Sequence, residues 1–184
     1  MFDHFDFLAP FYDRAIPFDR LALMLKMVEL PVTGMLLDAG GGTGRVAGEL
    51  ASYVRKAIVA DLSRGMLSQA LGKGLAGVQT PVERLPFDDG IFERIIMVDA
   101  LHHVHDQSKT IAELWRVLKP GGRLVIEEPD IRTWQVKVVA VVEKVALMRS
   151  HFISPLAIAR FFPAGASVKI ETEGYNAWVI VSKQ

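Results

Sequence analysis

The chain has 184 residues, a length suited to one domain that buries about 70% of its unfolded surface around a single core. Its 21 basic and 21 acidic residues cancel and 51% of its residues are hydrophobic, so no net charge draws it to a polyanion, and no nucleic-acid module motif is present. It contains no cysteine, which excludes disulfides, thiolate metal sites and cysteine nucleophiles.

The first seven residues, Met1 to Phe7, lack a basic region followed by an apolar one, so they do not read as a secretory signal. No apolar run reaches the roughly 20 residues of a membrane span, and the expected location is the cytoplasm. The first informative stretch is Leu36-Leu37-Asp38-Ala39-Gly40-Gly41-Gly42-Thr43-Gly44, an apolar strand ending in an acid and then glycines at 40, 42 and 44. A backbone without side chains can press against a ligand and tolerates the positive φ of a tight turn. Val46, Ala47, Leu50 and Ala51 then continue at helical spacing, so the loop aims a helix N-terminus at whatever sits above it. The dinucleotide fingerprint G-x-G-x-x-G fails because Arg45 stands in place of its third glycine.

A second apolar run, Ala57 to Ala60, closes on Asp61, 23 residues after Asp38. An acid at the end of a second strand can accept from both hydroxyls of a ribose. Apolar runs near 35–38, 57–60, 78–82, 94–98 and 123–127 alternate with helical patterns near 44–53, 63–73 and 106–118. That is the rhythm of a parallel sheet covered on both faces. After Pro129 come two helical stretches, 131–150 and 154–162, and then strands over 167–173 and 176–183 joined by a hairpin turn at Glu173-Gly174-Tyr175-Asn176.

In this order the segments resemble a class I S-adenosylmethionine-dependent methyltransferase of the small-molecule branch that includes the ubiquinone and menaquinone C-methyltransferases. Beyond the glycine loop, the resemblance rests on four segments. They are Phe7-Leu8-Ala9-Pro10-Phe11-Tyr12-Asp13, Val82-Glu83-Arg84-Leu85-Pro86-Phe87 with Gly90-Ile91-Phe92, Ile95 to Val104, and Glu113 to Leu124. It implies an α/β fold with a Rossmann-like, mainly parallel seven-stranded sheet, helices on both faces and a C-terminal antiparallel hairpin. The whole of 1–184 is then one domain, with residues 1–30 as an N-terminal lid or helical segment. The cofactor implied is S-adenosyl-L-methionine and the partner a small-molecule acceptor.

The resemblance also assigns residues. Asp38, Gly40, Gly41 and Gly42 line the methionine and ribose region, Asp61 takes the ribose hydroxyls, and Leu62 with Met66 sandwich the adenine. Asp99 offers its backbone to the donor's amino group, and Tyr12 with Asp13 closes over the donor. The family usually carries an adenine-binding Asp at the position of Pro81, which cannot make that bond. The Val82 N–H remains to contact the ring, Glu83 is a further candidate for the amine, and adenine binding is expected to weaken by about 1 kcal/mol.

On the acceptor side, His102, His103 and His105 follow the fourth strand at its carboxyl end, where open α/β sheets bind ligands. His103 is the candidate catalytic residue, since a neutral imidazole can take a proton from an attacking O, N or C acid. His102 and His105 read as solvated turn residues and Asp106 as a helix N-cap. No metal site is expected, because histidines one and two residues apart without thiolates do not form a zinc set. Glu127, Glu128 and Asp130 are left unsorted among acceptor contacts, edge acids and caps. The run Trp134 to Met148 is apolar most of the way round, with Lys137, Glu143 and Lys144 as its polar side, so it should be buried on more than one face. The cover is either the segment Phe152 to Phe162 folding back, a homodimer interface or a lipophilic acceptor such as a prenylated quinol. A non-catalytic donor-binding subunit and a nucleotide-linked oxidoreductase are the competing functional readings.

Overall fold

The computed structural model describes residues 4–145 and 150–184. Two helices lead the chain, α1 (His4–Ala15) and α2 (Leu21–Val28), followed by strand β1 (Met35–Ala39). Then come α3 (Arg45–Leu50), β2 (Lys56–Asp61), α4 (Arg64–Gly72), β3 (Ala76–Gln79) and β4 (Phe92–Val98). The second half runs α5 (Gln107–Val117), β5 (Leu118–Pro129), α6 (Trp134–Val145), α7 (Pro155–Ala159), β6 (Ser167–Glu173) and β7 (Asn176–Ser182).

Local chemistry fixes several of these boundaries. Helix α4 starts where the Ser63 hydroxyl accepts from the Met66 N–H, and α5 where the Asp106 carboxylate accepts from the Lys109 N–H, as its sequence position predicts. At the end of α2, Arg94 reaches out of β4 and donates to the carbonyls of Val28 at 2.7 Å and Glu29 at 3.3 Å, answering groups that the helix leaves unpaired.

The seven strands form one sheet in the order β3-β2-β1-β4-β5-β7-β6, parallel except that β7 runs antiparallel to both β5 and β6. Successive residues of the central strands point to opposite faces. Leu36, Val59, Ile96, Val125 and Trp178 face the layer holding Met24, Val46, Leu50 and Leu67. Leu37, Ile58, Ile95, Leu124 and Val179 face the layer holding Ile111, Leu114 and Ile158. Chain direction away from β1 reverses between its neighbours β2 and β4, which opens a crevice at the carboxyl ends of these strands.

Two strands and one helix differ from the sequence expectation. Strand β3 occupies 76–79 and stops short of Pro81, which has no N–H to give a ladder. Strand β5 begins five residues early, because its pairing with β4 jumps from Leu118 opposite Phe92 to Arg123 opposite Arg94 across an irregularity at Lys119 to Gly122.

In α6, Val136 is buried but Val138, Val139 and Val141 are exposed. The following segment does not cover them. The Phe152 ring stacks on His102 at 4.3 Å, while Ile158 and Phe162 join the core beneath α5. The end of the apolar run, including Met148, lies outside the described residues. No helix among the described residues is long and apolar enough to cross a membrane.

Candidate functional site

A cavity of about 990 Å³ opens at the carboxyl ends of β1, β2 and β4. Its floor is the glycine loop. Asp38, the next-to-last residue of β1, is 1% exposed, and its Oδ2 accepts from the Ala47 N–H at 3.2 Å in the first turn of α3. A Cβ on Gly41 would fall 2.3 Å from the Asp38 carboxyl carbon, so the backbone can cross the acid only as glycine. The Asp38 Oδ1 is buried without a hydrogen-bond partner, and burial pushes this carboxyl up to about 7. An orphaned acceptor beneath a bare backbone fits a ligand that brings cationic N–H groups.

Asp61 stands opposite, at the end of β2. Its Oδ2 accepts from the Gly42 N–H and its Oδ1 from the Ser63 N–H, each at 2.8 Å, so the carboxylate joins the two loops of the site. Leu62, 62% exposed, and Met66, buried in α4, line the cavity beside it. Pro81 and the buried Val82 supply the neighbouring wall. Glu83 also lines the cavity. Its Oε1 accepts from the N–H groups of His105 at 2.8 Å and Asp106 at 3.2 Å, bracing the loop ahead of α5.

Helix α1 lies over one side of the cavity, with Tyr12 in the lining. Two acids fasten it. Asp6 Oδ1 accepts from the Ser63 hydroxyl at 2.6 Å and the Gly65 N–H at 2.7 Å, and these bonds hold its carboxyl below the usual range. Asp13 accepts from the Thr43 hydroxyl at 2.5 Å and from Lys73. Burial opposes its ionisation, but Lys73 and Thr43 prevail and keep it low. Burial raises the Tyr12 phenol.

The remaining wall is the turn after β4. Asp99 takes a left-handed backbone, φ 51, and its side chain meets Arg45 at 3.4 Å. Burial raises the Asp99 carboxyl, with Glu128 adding to the effect and Arg45 opposing it. His103 lines the cavity, and its Nδ1 lies 3.3 Å from the Ser150 hydroxyl. Burial, and then the neighbouring charge of His102, push it down to about 3, so the imidazole is neutral across the physiological range.

His102 is buried rather than solvated. Its Nδ1 is 2.5 Å from Glu128 Oε2, and this carboxylate gives a reason to bury the ring that the sequence reading lacked. The other acids at the end of β5 are also sorted. Glu127 pairs with Arg20 at 2.5 Å and accepts from Asn176, while Asp130 binds Arg132 and accepts from its N–H. Among the described residues, no group of three or more His, Cys, Asp or Glu side chains could hold a metal ion.

The structure thus gathers Tyr12, Asp38, Gly40, Gly41, Gly42, Asp61, Leu62, Met66, Val82, Asp99 and His103 around one cavity. The sequence reading missed Asp6 and Arg45, which also line it. Arg45 carried a signal, since a long cation in place of a third glycine must go somewhere near the loop.

Comparison with known proteins finds methyltransferases. The family described as "Methyltransferase domain" matches residues 37–126. A demethylmenaquinone methyltransferase of Mycolicibacterium vanbaalenii is 36% identical over 125 residues, covering 68% of this chain and 54% of its own length. A ubiquinone/menaquinone biosynthesis C-methyltransferase of Desulfotalea psychrophila is 40% identical over 101 residues, covering 52% and 41%. The chain therefore spans about half the length of the curated relatives it matches. The structure of a SAM-dependent methyltransferase from Aquifex aeolicus superposes with a TM-score of 0.73 at 21% identity, over 98% of both chains, and shares the fold.

Proposed function

From a chain that belongs, through residues 37–126, to the methyltransferase-domain family, we infer an enzyme that moves a methyl group from S-adenosyl-L-methionine to a small lipophilic acceptor of the quinol class, acting from the cytoplasm. The observation that carries the inference is the single cavity in which the Gly40 to Gly42 backbone and the Asp61 carboxylate form one end while His103 lines another part. The names of the relatives, demethylmenaquinone and ubiquinone/menaquinone methyltransferases, support the acceptor class.

The residues present fit the cofactor. Asp38 would hold the ammonium end through its orphaned buried oxygen, Asp61 the ribose hydroxyls, and Leu62 with Met66 and Val82 the adenine. When bound, S-adenosylmethionine supplies an electrophilic methyl on a sulfonium. The chain's own task is then to align acceptor and donor and to exclude water, and orientation can account for several kcal/mol of barrier. Helix α1, tied by Asp6 and Asp13, covers the donor side, and Tyr12 closes over it. His103, kept neutral by burial, accepts a hydrogen bond from the acceptor hydroxyl as that group becomes more acidic along the reaction.

The test is calorimetry with S-adenosylmethionine, S-adenosylhomocysteine and NAD, followed by turnover on a demethylated naphthoquinol. Binding of both sulfur ligands in preference to NAD, with a methylated naphthoquinol as product, is expected. Tighter binding of NAD would overturn the reading, and donor binding with no methylated product would overturn the quinol assignment.

A further inference from the structure

Glu128 occupies an unusual place for an acid. It is 5% exposed near the end of β5, and among the described residues its side-chain hydrogen bonds go to the turn after β4. Its Oε1 accepts from two successive backbone N–H groups, Ala100 at 3.0 Å and Leu101 at 2.7 Å. Its Oε2 accepts a hydrogen bond from His102 Nδ1–H at 2.5 Å, which fixes the proton on that nitrogen, because a carboxylate can only accept. A buried carboxylate is costly unless its lone pairs are engaged, and here one side chain engages three donors of one turn.

The turn needs such a tie. It starts from Asp99 in the left-handed region, where a side chain is disfavoured, and passes into the short helical turn Leu101–His103. The His102 ring, held by Glu128, stacks on Phe152 at 4.3 Å and meets His103 in a tilted contact at 4.0 Å. His103 and Ala100 in turn line the cavity, and a Cβ on Gly40 would fall 2.8 Å from Ala100 Cβ. One carboxylate therefore sets the backbone at 100–101, the ring at 102 and, through the tilted ring contact at 4.0 Å, the ring at 103.

We propose that Glu128 is the positioning residue of the acceptor side, holding the Asp99–His103 turn and the His102–His103 ring pair as one rigid wall so that His103 faces the methyl acceptor. It touches neither donor nor acceptor. The proposal rests on the methyltransferase reading above and concerns which half of that reaction Glu128 serves. Among the described residues, the charged and titratable groups set against the ring pair include Glu128 and Asp99, and the backbone N–H of His151 donates to the His102 carbonyl at 2.7 Å.

The test compares wild type with Glu128→Gln, Glu128→Asp and, as a route that leaves the acid in place, His102→Asn. Three readouts need no acceptor. They are hydrogen exchange of the Ala100 and Leu101 amides, the ring-nitrogen resonances of His102 and His103, and calorimetric affinity for S-adenosylhomocysteine. The fourth is turnover on the naphthoquinol probe. In Glu128→Gln, exchange at 100–101 should quicken at least tenfold while amides of β4 and β5 keep their protection. The His102 Nδ1–H resonance, expected far downfield in wild type, should move upfield. S-adenosylhomocysteine affinity should change less than threefold and naphthoquinol kcat fall at least tenfold, with Glu128→Asp recovering part of it. His102→Asn should lower kcat while leaving 100–101 protected.

Unchanged exchange at 100–101 in Glu128→Gln, or loss of S-adenosylhomocysteine affinity in step with kcat, would overturn the proposal. A wild type that binds the donor but does not methylate the naphthoquinol would overturn the quinol assignment instead, and the exchange, resonance and affinity results would still decide the role of Glu128.

Discussion

The Arg45 guanidinium and the Asp99 carboxylate meet at 3.4 Å across the cavity, joining the glycine loop to the turn after β4. Arg45 occupies the position at which a dinucleotide-binding loop would carry its third glycine, so the residue that breaks one motif makes a bond between two walls of this site. Asp99 is raised by burial and held back by Arg45. At 3.4 Å the bond is long, which places its contribution at the lower end of charged hydrogen bonds. Arg45→Ala is expected to cost about 1.5 kcal/mol of folding stability, read by denaturant titration.

Asp61 should matter more for the donor than for the fold. Its carboxylate is fixed by the Gly42 and Ser63 amides at the cavity wall, so Asp61→Ala removes both the ribose acceptors and the tie between loops. The expected loss is about 1.5–3 kcal/mol of S-adenosylhomocysteine binding, the range for hydrogen bonds to a charged group. Asp61→Glu should be intermediate. Unchanged affinity in a folded Asp61→Ala would remove the ribose assignment.

How much of this was legible in the chain follows from distance along it. The strand, the glycines, Arg45 and Asp61 declare themselves because each lies within a few residues of the element it ends or starts, and the parallel part of the sheet followed from the alternation with helices. The ties were not legible. Asp6 reaches Ser63 and Gly65 across 57 and 59 residues, Arg45 reaches Asp99 across 54, and Glu128 reaches back to 100–102 across 26 to 28. An acid near a strand end reads the same whether it will meet solvent, a cap or a distant turn. His102 shows the consequence, since only the position of Glu128 explains a buried imidazole in a turn that looked solvated.

Asp38 predicts a pH dependence. Burial raises its carboxyl from the ordinary value to about 7, so between about pH 4 and pH 7 the folded chain binds a proton that the unfolded chain has released. Folding stability from this group therefore falls as pH rises through that window and is level above it. Asp38→Asn should flatten this component of the stability curve. The donor acts in the opposite sense, because its ammonium and sulfonium charges favour the ionised acid. S-adenosylmethionine affinity should increase from pH 6 to pH 8 with release of a proton, measured by calorimetry in buffers of differing ionisation enthalpy. Affinity that falls over the same range would show that Asp38 does not face the cationic end of the donor.

The exposed apolar side of α6 gives the last prediction. Val136 is 2% exposed, whereas Val138, Val139 and Val141 are 53%, 45% and 62% exposed. A helix whose outer face is valine gains nothing from water on that side, and the segment expected to cover it packs beneath α5 instead. Because the donor end of the cavity, around Asp38 and Asp61, is built from other elements, the outer face of α6 can be altered without touching it. Val139→Asp and Val141→Asp are expected to leave stability within about 0.5 kcal/mol, as surface substitutions do, and S-adenosylhomocysteine affinity unchanged. Val136→Asp should destabilise strongly, since it buries a carboxylate with no partner. Sedimentation and turnover on a long-chain naphthoquinol then read what the outer face does. A shift in mass in the two outer variants identifies a contact between copies, and a selective loss of long-chain turnover identifies a contact with the acceptor tail. Parent mass together with parent turnover would show that the valines face only solvent, leaving the lipophilic acceptor to rest on the relatives alone.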